Sequence, residues 1–61
     1  MNKSLTNKIY HTIQTENVND YDLKKMFKSN SEVEVNNSLI FLLLTEKIRV
    51  NQDSLKYVVT E

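Results

Sequence analysis

The chain contains no cysteine, no glycine, no proline and no tryptophan. Without Cys there is neither a disulfide nor a thiolate metal site. A chain of 61 residues often needs such a staple, so this one depends on packing quality or on a second subunit. Without Gly there is no P-loop or dinucleotide fingerprint, and no G-x-S-x-G nucleophile turn. His11 is the only histidine, and on a helix it falls roughly opposite Ile9 and Ile13. It is therefore expected in solvent, with no second His or Cys to complete a metal or catalytic set. The paired acids Asp20/Asp22 and Glu32/Glu34 sit where acids stabilise helix N-termini, which explains them without general acid–base chemistry. No catalytic residue, metal site or cofactor is expected, and the chain reads as a non-enzyme without a small-molecule substrate.

A charge excess is missing too. Eight basic residues balance eight acidic ones, whereas a dedicated nucleic-acid binder usually carries a basic surplus. The distribution is uneven. Residues 1–30 carry Lys3, Lys8, Lys24, Lys25 and Lys28 against Glu16, Asp20 and Asp22, a net of +2. Residues 31–46 carry only Glu32, Glu34 and Glu46, a net of −3, and residues 47–61 return to +1. Long hydrophobic runs are absent: the one unbroken apolar block, Leu39–Leu44, is far short of the roughly 20 residues that span a bilayer. The N-terminal stretch shows no apolar h-region. A soluble, cytoplasmic protein of one domain over residues 1–61 is expected, without membrane association. Abundant Asn and Lys with no Gly or Pro fit an AT-rich genome, such as that of a phage or other mobile element.

The residues present set out a definite order of elements. Ser4 is a candidate N-cap, and Leu5, Ile9 and Ile13 recur every four residues, which predicts a helix over about 4–15. Tyr10 borders this stripe. Glu16 to Asn19 is a connector in which Val18 alone points inward, as a one-residue bridge. Asn19 or Asp20 caps a second helix over about 20–28, with Leu23, Met26 and Phe27 on one face. Its acidic start (Asp20, Asp22) and basic end (Lys24, Lys25, Lys28) match the helix dipole. Asn30 is the candidate for the left-handed position that Gly usually takes after a helix. Ser31 with Glu34 forms a capping box opening a third helix over about 32–46. In it Val35, Leu39, Leu42 and Glu46 share a face that Leu43 widens. A strand through 38–44 is the competing reading; Leu-rich composition and the upstream cap favour helix. Ile48-Arg49-Val50 and Leu55 to Val59 alternate as strands about a polar tip, Asn51 to Ser54, predicting a hairpin of 48–50 with 55–59. The fold class is mainly α with a small β-hairpin.

Helix, bridge, helix, turn, longer helix, hairpin resembles the winged helix-turn-helix family. The likeness rests on Val18, Leu23 and Phe27, on Leu39, Leu42 and Leu43, and on Ile48 with Tyr57-Val58-Val59-Thr60. A looser similarity, over Leu43 through Val58, is to the compact winged domain at the N-terminus of the bacterial RNA polymerase delta subunit. In the winged-helix family the third helix usually enters the major groove and the wing touches the backbone. The resemblance implies groove contacts from Asn36 and Asn37, with Glu34, Ile40 or Phe41 nearby. It implies wing contacts from Arg49, Gln52, Ser54 and Lys56. Lys24, Lys25 and Lys28 are a candidate phosphate-contacting cluster, with ordinary charge at a helix C-terminus as the alternative. Asn can read adenine edges. The departure is that the third helix has three acids and no Lys or Arg, although phosphate neutralisation supplies most nucleic-acid affinity.

Ile40, Phe41 and Leu44 exceed what the third helix's core face needs. A helix apolar on nearly all sides is normally buried on nearly all sides, and a domain this small does not readily surround one. Either helix one and the hairpin cover these residues, or a second chain does. Two readings follow: a small DNA-binding transcription regulator, dimeric, contacting double-stranded DNA; or a protein-interaction module, for example an inhibitor of a host nucleic-acid-handling protein, with Ile40, Phe41 and Leu44 as its interface.

Overall fold

The computed structural model describes residues 2–60. They form α1 (Lys3–Thr15), α2 (Asp20–Met26), α3 (Glu32–Leu44), β1 (Ile48–Val50) and β2 (Tyr57–Val59), with the strands paired antiparallel. This is the expected mainly α architecture with one small hairpin, in an order compatible with a winged helix.

Helix α1 is capped by Asn2, not Ser4. The Asn2 Oδ1 accepts the Leu5 N–H at 3.1 Å, so Ser4 lies inside the first turn. The four-residue spacing buries Leu5, Ile9 and Ile13. Helix α2 opens with a reciprocal capping box: Asn19 Oδ1 accepts the Asp22 N–H at 2.8 Å and Asp22 Oδ2 accepts the Asn19 N–H at 3.2 Å. It ends at Met26, two residues before the expected stop, because Phe27 leaves helical geometry and half-buries its ring against the core. Only Leu23 of the expected α2 face is fully buried; Met26 is exposed. Asn30 does not take the left-handed conformation expected of it.

Helix α3 begins at the expected capping box, with the Glu34 N–H donating to Ser31 Oγ at 3.1 Å and the Ser31 N–H to Glu34 Oε1 at 3.3 Å. It stops at Leu44 rather than at residue 46. The Lys47 N–H reaches back to the Leu42 carbonyl at 2.9 Å and the Glu46 N–H to the Leu43 carbonyl at 3.1 Å, the paired bonds of a Schellman ending. Its left-handed residue is Glu46, at φ 60, so in a chain without Gly a β-carbon occupies the position that favours its absence.

The core is Leu5, Ile9 and Ile13 of α1, Val18 of the connector, Leu23 of α2, Val35, Leu39 and Leu42 of α3, and Ile48 of β1. Tyr10, Leu43, Tyr57 and Val59 close its edges. One polar contact crosses it: Thr6 Oγ1 of α1 lies 2.8 Å from Ser38 Oγ of α3, both hydroxyls buried. The strands pair Ile48 with Val59, Arg49 with Val58 and Val50 with Tyr57. Val18 is buried as expected, but no β-bridge forms there; a single hydrogen bond runs from the Tyr57 N–H to the Val18 carbonyl at 2.8 Å. It ties the hairpin to the α1–α2 connector.

The hairpin departs from the expected alternation at its tip. Strand β2 begins at Tyr57, not at residue 55. Leu55 adopts φ 60 and is exposed, and Val50, expected inward, is also exposed. Asn51 organises this end. Its Oδ1 accepts the Asp53 and Ser54 N–H groups at 2.9 and 3.3 Å. Its own N–H donates to the Lys56 carbonyl at 2.8 Å, and its carbonyl accepts the Leu55 N–H at 2.7 Å. These bonds close a wide turn that diverts Leu55 away from the core.

Candidate functional site

At 100° per residue, Val35, Ser38, Leu39 and Leu42 lie on one side of α3, and all four are buried. The same arithmetic places Val33, Asn37, Ile40 and Leu44 within about 60° of each other on the opposite side, with Phe41 beside them. This side faces solvent: Val33 is 67%, Ile40 51%, Phe41 38% and Leu44 78% exposed, and Asn37 is exposed as well. Helix α1 and the hairpin do not cover the surplus apolar residues. The domain leaves an uncovered apolar stripe along the full length of its most hydrophobic helix. Val33 was missed by sequence reasoning because it fell inside the capping-box motif. The spacing of residues 33, 37, 40 and 44 is the signal that finds it.

The stripe is continued at its C-terminal end by an open groove of about 530 Å³ lined by Leu43, Glu46, Ile48, Arg49, Val50 and Thr60. Its walls are held by the chain reversal after α3: the Thr60 N–H donates to the Lys47 carbonyl at 3.1 Å, and the Thr60 hydroxyl donates to the Glu46 carbonyl. Ile48 forms a buried floor, and Arg49 supplies a cation at the rim.

The residues expected to touch DNA do not gather at one place. Asn37 lies in the middle of the apolar stripe, while Asn36 is half-buried at its margin. On α2, Lys24 is partly buried and its Nζ lies 3.0 Å from Asp20 Oδ2. Lys25 Nζ sits 5.4 Å from the centroid of the Tyr21 ring. Lys28 lies in the turn beyond the helix end and is exposed; the three lysines share a depression with Tyr21 and Glu32. Arg49 and Gln52 are exposed on the hairpin and Lys56 is half-buried. The register sets Arg49 opposite Val58, two pairs away from Lys56 opposite Asn51, so these two cations share a sheet face without facing each other.

His11 is exposed, as expected, beside a shallow apolar depression formed with Asn7, Lys8, Thr12 and Phe27. Among the described residues no group of three His, Cys, Asp or Glu side chains is placed to hold a metal ion, and none of their helices is long and apolar enough to cross a membrane. Among the described residues the one clear pKa displacement is at Tyr57. Burial pushes its phenol above 10.0, and the nearby Asp20 charge adds to the rise. Comparison with protein-family models, with curated proteins and with solved structures gives no match.

Proposed function

We propose that the chain is a winged-helix protein-docking module whose docking surface is the outward side of α3. The observation that carries this reading is the exposure of Val33, Ile40, Phe41 and Leu44 on a helix that has no Lys or Arg. Exposed apolar stripes of this kind mark association surfaces. A major-groove helix needs polar side chains against base edges and cations toward the phosphates. Here Asn37 is the one groove-suited side chain at the centre of the face, and Glu34 beside Phe41 would repel phosphate. An inhibitor of a host nucleic-acid-handling protein would use the same surface.

DNA binding through other elements is the second reading. What favours it is the exposure of Lys25, Lys28 and Arg49, which leaves cations free for phosphates away from α3. Titration of an AT-rich duplex at about 50 mM salt separates the two, since phosphate-driven affinity is greatest there. The docking reading expects no saturable duplex binding at micromolar protein, and no backbone amide shifts along residues 33–44. Saturable binding that weakens in Asn37→Ala would overturn it. Binding that weakens only in Arg49→Glu or Lys25→Glu would place DNA on α2 and the wing, and would leave α3 as the protein surface.

A further inference from the structure

We infer that the occupant of the α3 face is a second copy of this chain, docked with the two α3 helices antiparallel about a two-fold axis. The inference rests on the docking reading above and names its partner. Residues 33, 37, 40 and 44 follow the alternating four–three spacing of a helix that pairs with another helix along its length. The ends of the face carry opposite charge. Glu32 and Glu34 stand at the N-terminal end, and Lys47 and Arg49 stand just beyond the C-terminal end, with Glu46 as the one acid among them. The only ion pair among the described residues is Lys24 with Asp20, so Glu32, Lys47 and Arg49 carry no ion-pair partner, and Glu34, whose Oε1 accepts the Ser31 N–H, keeps its other carboxylate oxygen for another chain.

Antiparallel docking sets the acidic end of each helix against the basic end of the other and opposes the two helix dipoles. Parallel docking would set carboxylates against carboxylates, and Lys47 and Arg49 against their own copies. With the axis between residues 38 and 39, Val33 meets Leu44 of the second copy and Asn37 lies beside Ile40 of the second copy. The two Asn37 side chains then stand within about one helical turn of each other, close enough to satisfy one another. The groove of Leu43, Ile48 and Val50 with Arg49 at its rim adjoins the position where Val33 and Glu34 of the second copy arrive, an apolar residue and an acid for an apolar floor and a cation.

The area agrees with a weak homodimer. Each exposed apolar side chain offers on the order of 100 Å², so the stripe with Leu43 and Val50 offers about 500–600 Å² per copy, which just clears the roughly 1,000 Å² total of a specific interface. The association is concentration-dependent, in the micromolar range.

Analytical ultracentrifugation of the whole chain from about 10 µM to 1 mM tests this, with circular dichroism confirming that each variant is folded. The wild type should shift from monomer to dimer across that range. Leu44→Asp should weaken association at least tenfold. Glu34→Lys and Arg49→Glu should each weaken it about threefold or more, and the double variant Glu34→Lys/Arg49→Glu should restore it to within about threefold of wild type. A wild type that stays monomeric at 1 mM would overturn the second-copy partner while leaving the docking reading to the duplex titration. A dimer insensitive to Leu44→Asp, or a double variant no better than its singles, would overturn the proposed arrangement.

Discussion

The buried hydroxyl pair between α1 and α3 makes an asymmetric prediction. Thr6 Oγ1 donates its single proton to the Asn2 carbonyl at 2.9 Å. Its 2.8 Å contact with Ser38 Oγ must therefore use the Ser38 proton, with Thr6 as acceptor. Ser38→Ala removes that donor. Thr6 keeps its bond to Asn2, and the variant forfeits one ordinary hydrogen bond, about 1 kcal/mol. Thr6→Val removes the acceptor and strands a fully buried Ser38 hydroxyl, which costs about 2 kcal/mol because the desolvation penalty is no longer offset. The double variant Thr6→Val/Ser38→Ala has no stranded group, so it should be more stable than Thr6→Val alone by about 1 kcal/mol, a coupling of about 2 kcal/mol. In a chain of this size each 1 kcal/mol moves Tm by roughly 4–8 °C. Thermal and urea denaturation of the four proteins by circular dichroism resolves the order. Equal losses from the two single variants, or additivity within about 0.3 kcal/mol, would refute the proton assignment.

Two further outcomes follow from the backbone and from the wing. Glu46 and Leu55 both hold φ 60, where a residue with a β-carbon is disfavoured by roughly 1–2 kcal/mol and Asn less so. Leu55→Asn and Glu46→Asn should each raise Tm by a few degrees, and a fall in either would show that the side chain contributes more than the strain removes. Tyr57 is displaced upward from 10.0 by burial, with Asp20 adding to it. Above pH 10 the unfolded chain gives up this proton while the folded chain keeps it, so unfolding is favoured as pH rises toward the folded value. The Tyr57 contribution is fully present below pH 10 and is lost above it. Comparing the pH dependence of denaturation midpoints for wild type and Tyr57→Phe isolates it: the wild type should fall more steeply past pH 10, and parallel curves would contradict the shift.

What the sequence shows plainly is periodicity and capping chemistry. The i, i+4 stripe of Leu5, Ile9 and Ile13, the capping box of Ser31 and Glu34, and the pairing of Ile48-Arg49-Val50 with Tyr57-Val58-Val59 are all local patterns, and each is present at the expected place. The errors cluster where no Gly or Pro marks a stop. Helix α3 ends at Leu44 because a Schellman turn at Glu46 ends it, and nothing in Thr45-Glu46-Lys47 announces a left-handed residue. Strand β2 loses Leu55 for the same reason: Asn51 holds the tip through four hydrogen bonds and turns Leu55 outward against its hydrophobic character. The candidate site was half legible. Ile40, Phe41 and Leu44 stood out as surplus, but whether α1 and the hairpin could cover them depends on packing between elements distant in sequence. Val33 became part of the face only once α3 was seen to bury the opposite side.

The two functional readings meet at α3. The inward side of the helix holds Val35, Ser38, Leu39 and Leu42 in the core, so its outward side is the only one available, and Asn37 lies in the middle of that apolar stripe. A helix packed there against another chain has no side left for a base edge. Nucleic acid would then meet only the α2 lysines and the wing, and one net-neutral copy offers few cations for phosphate contacts. Counterion release scales with the number of phosphates neutralised, and a two-fold pair doubles that number. On the proposed arrangement, docking through α3 would precede any contact with DNA, and the helix that would read a groove in the resembled family would be the one that brings two copies together.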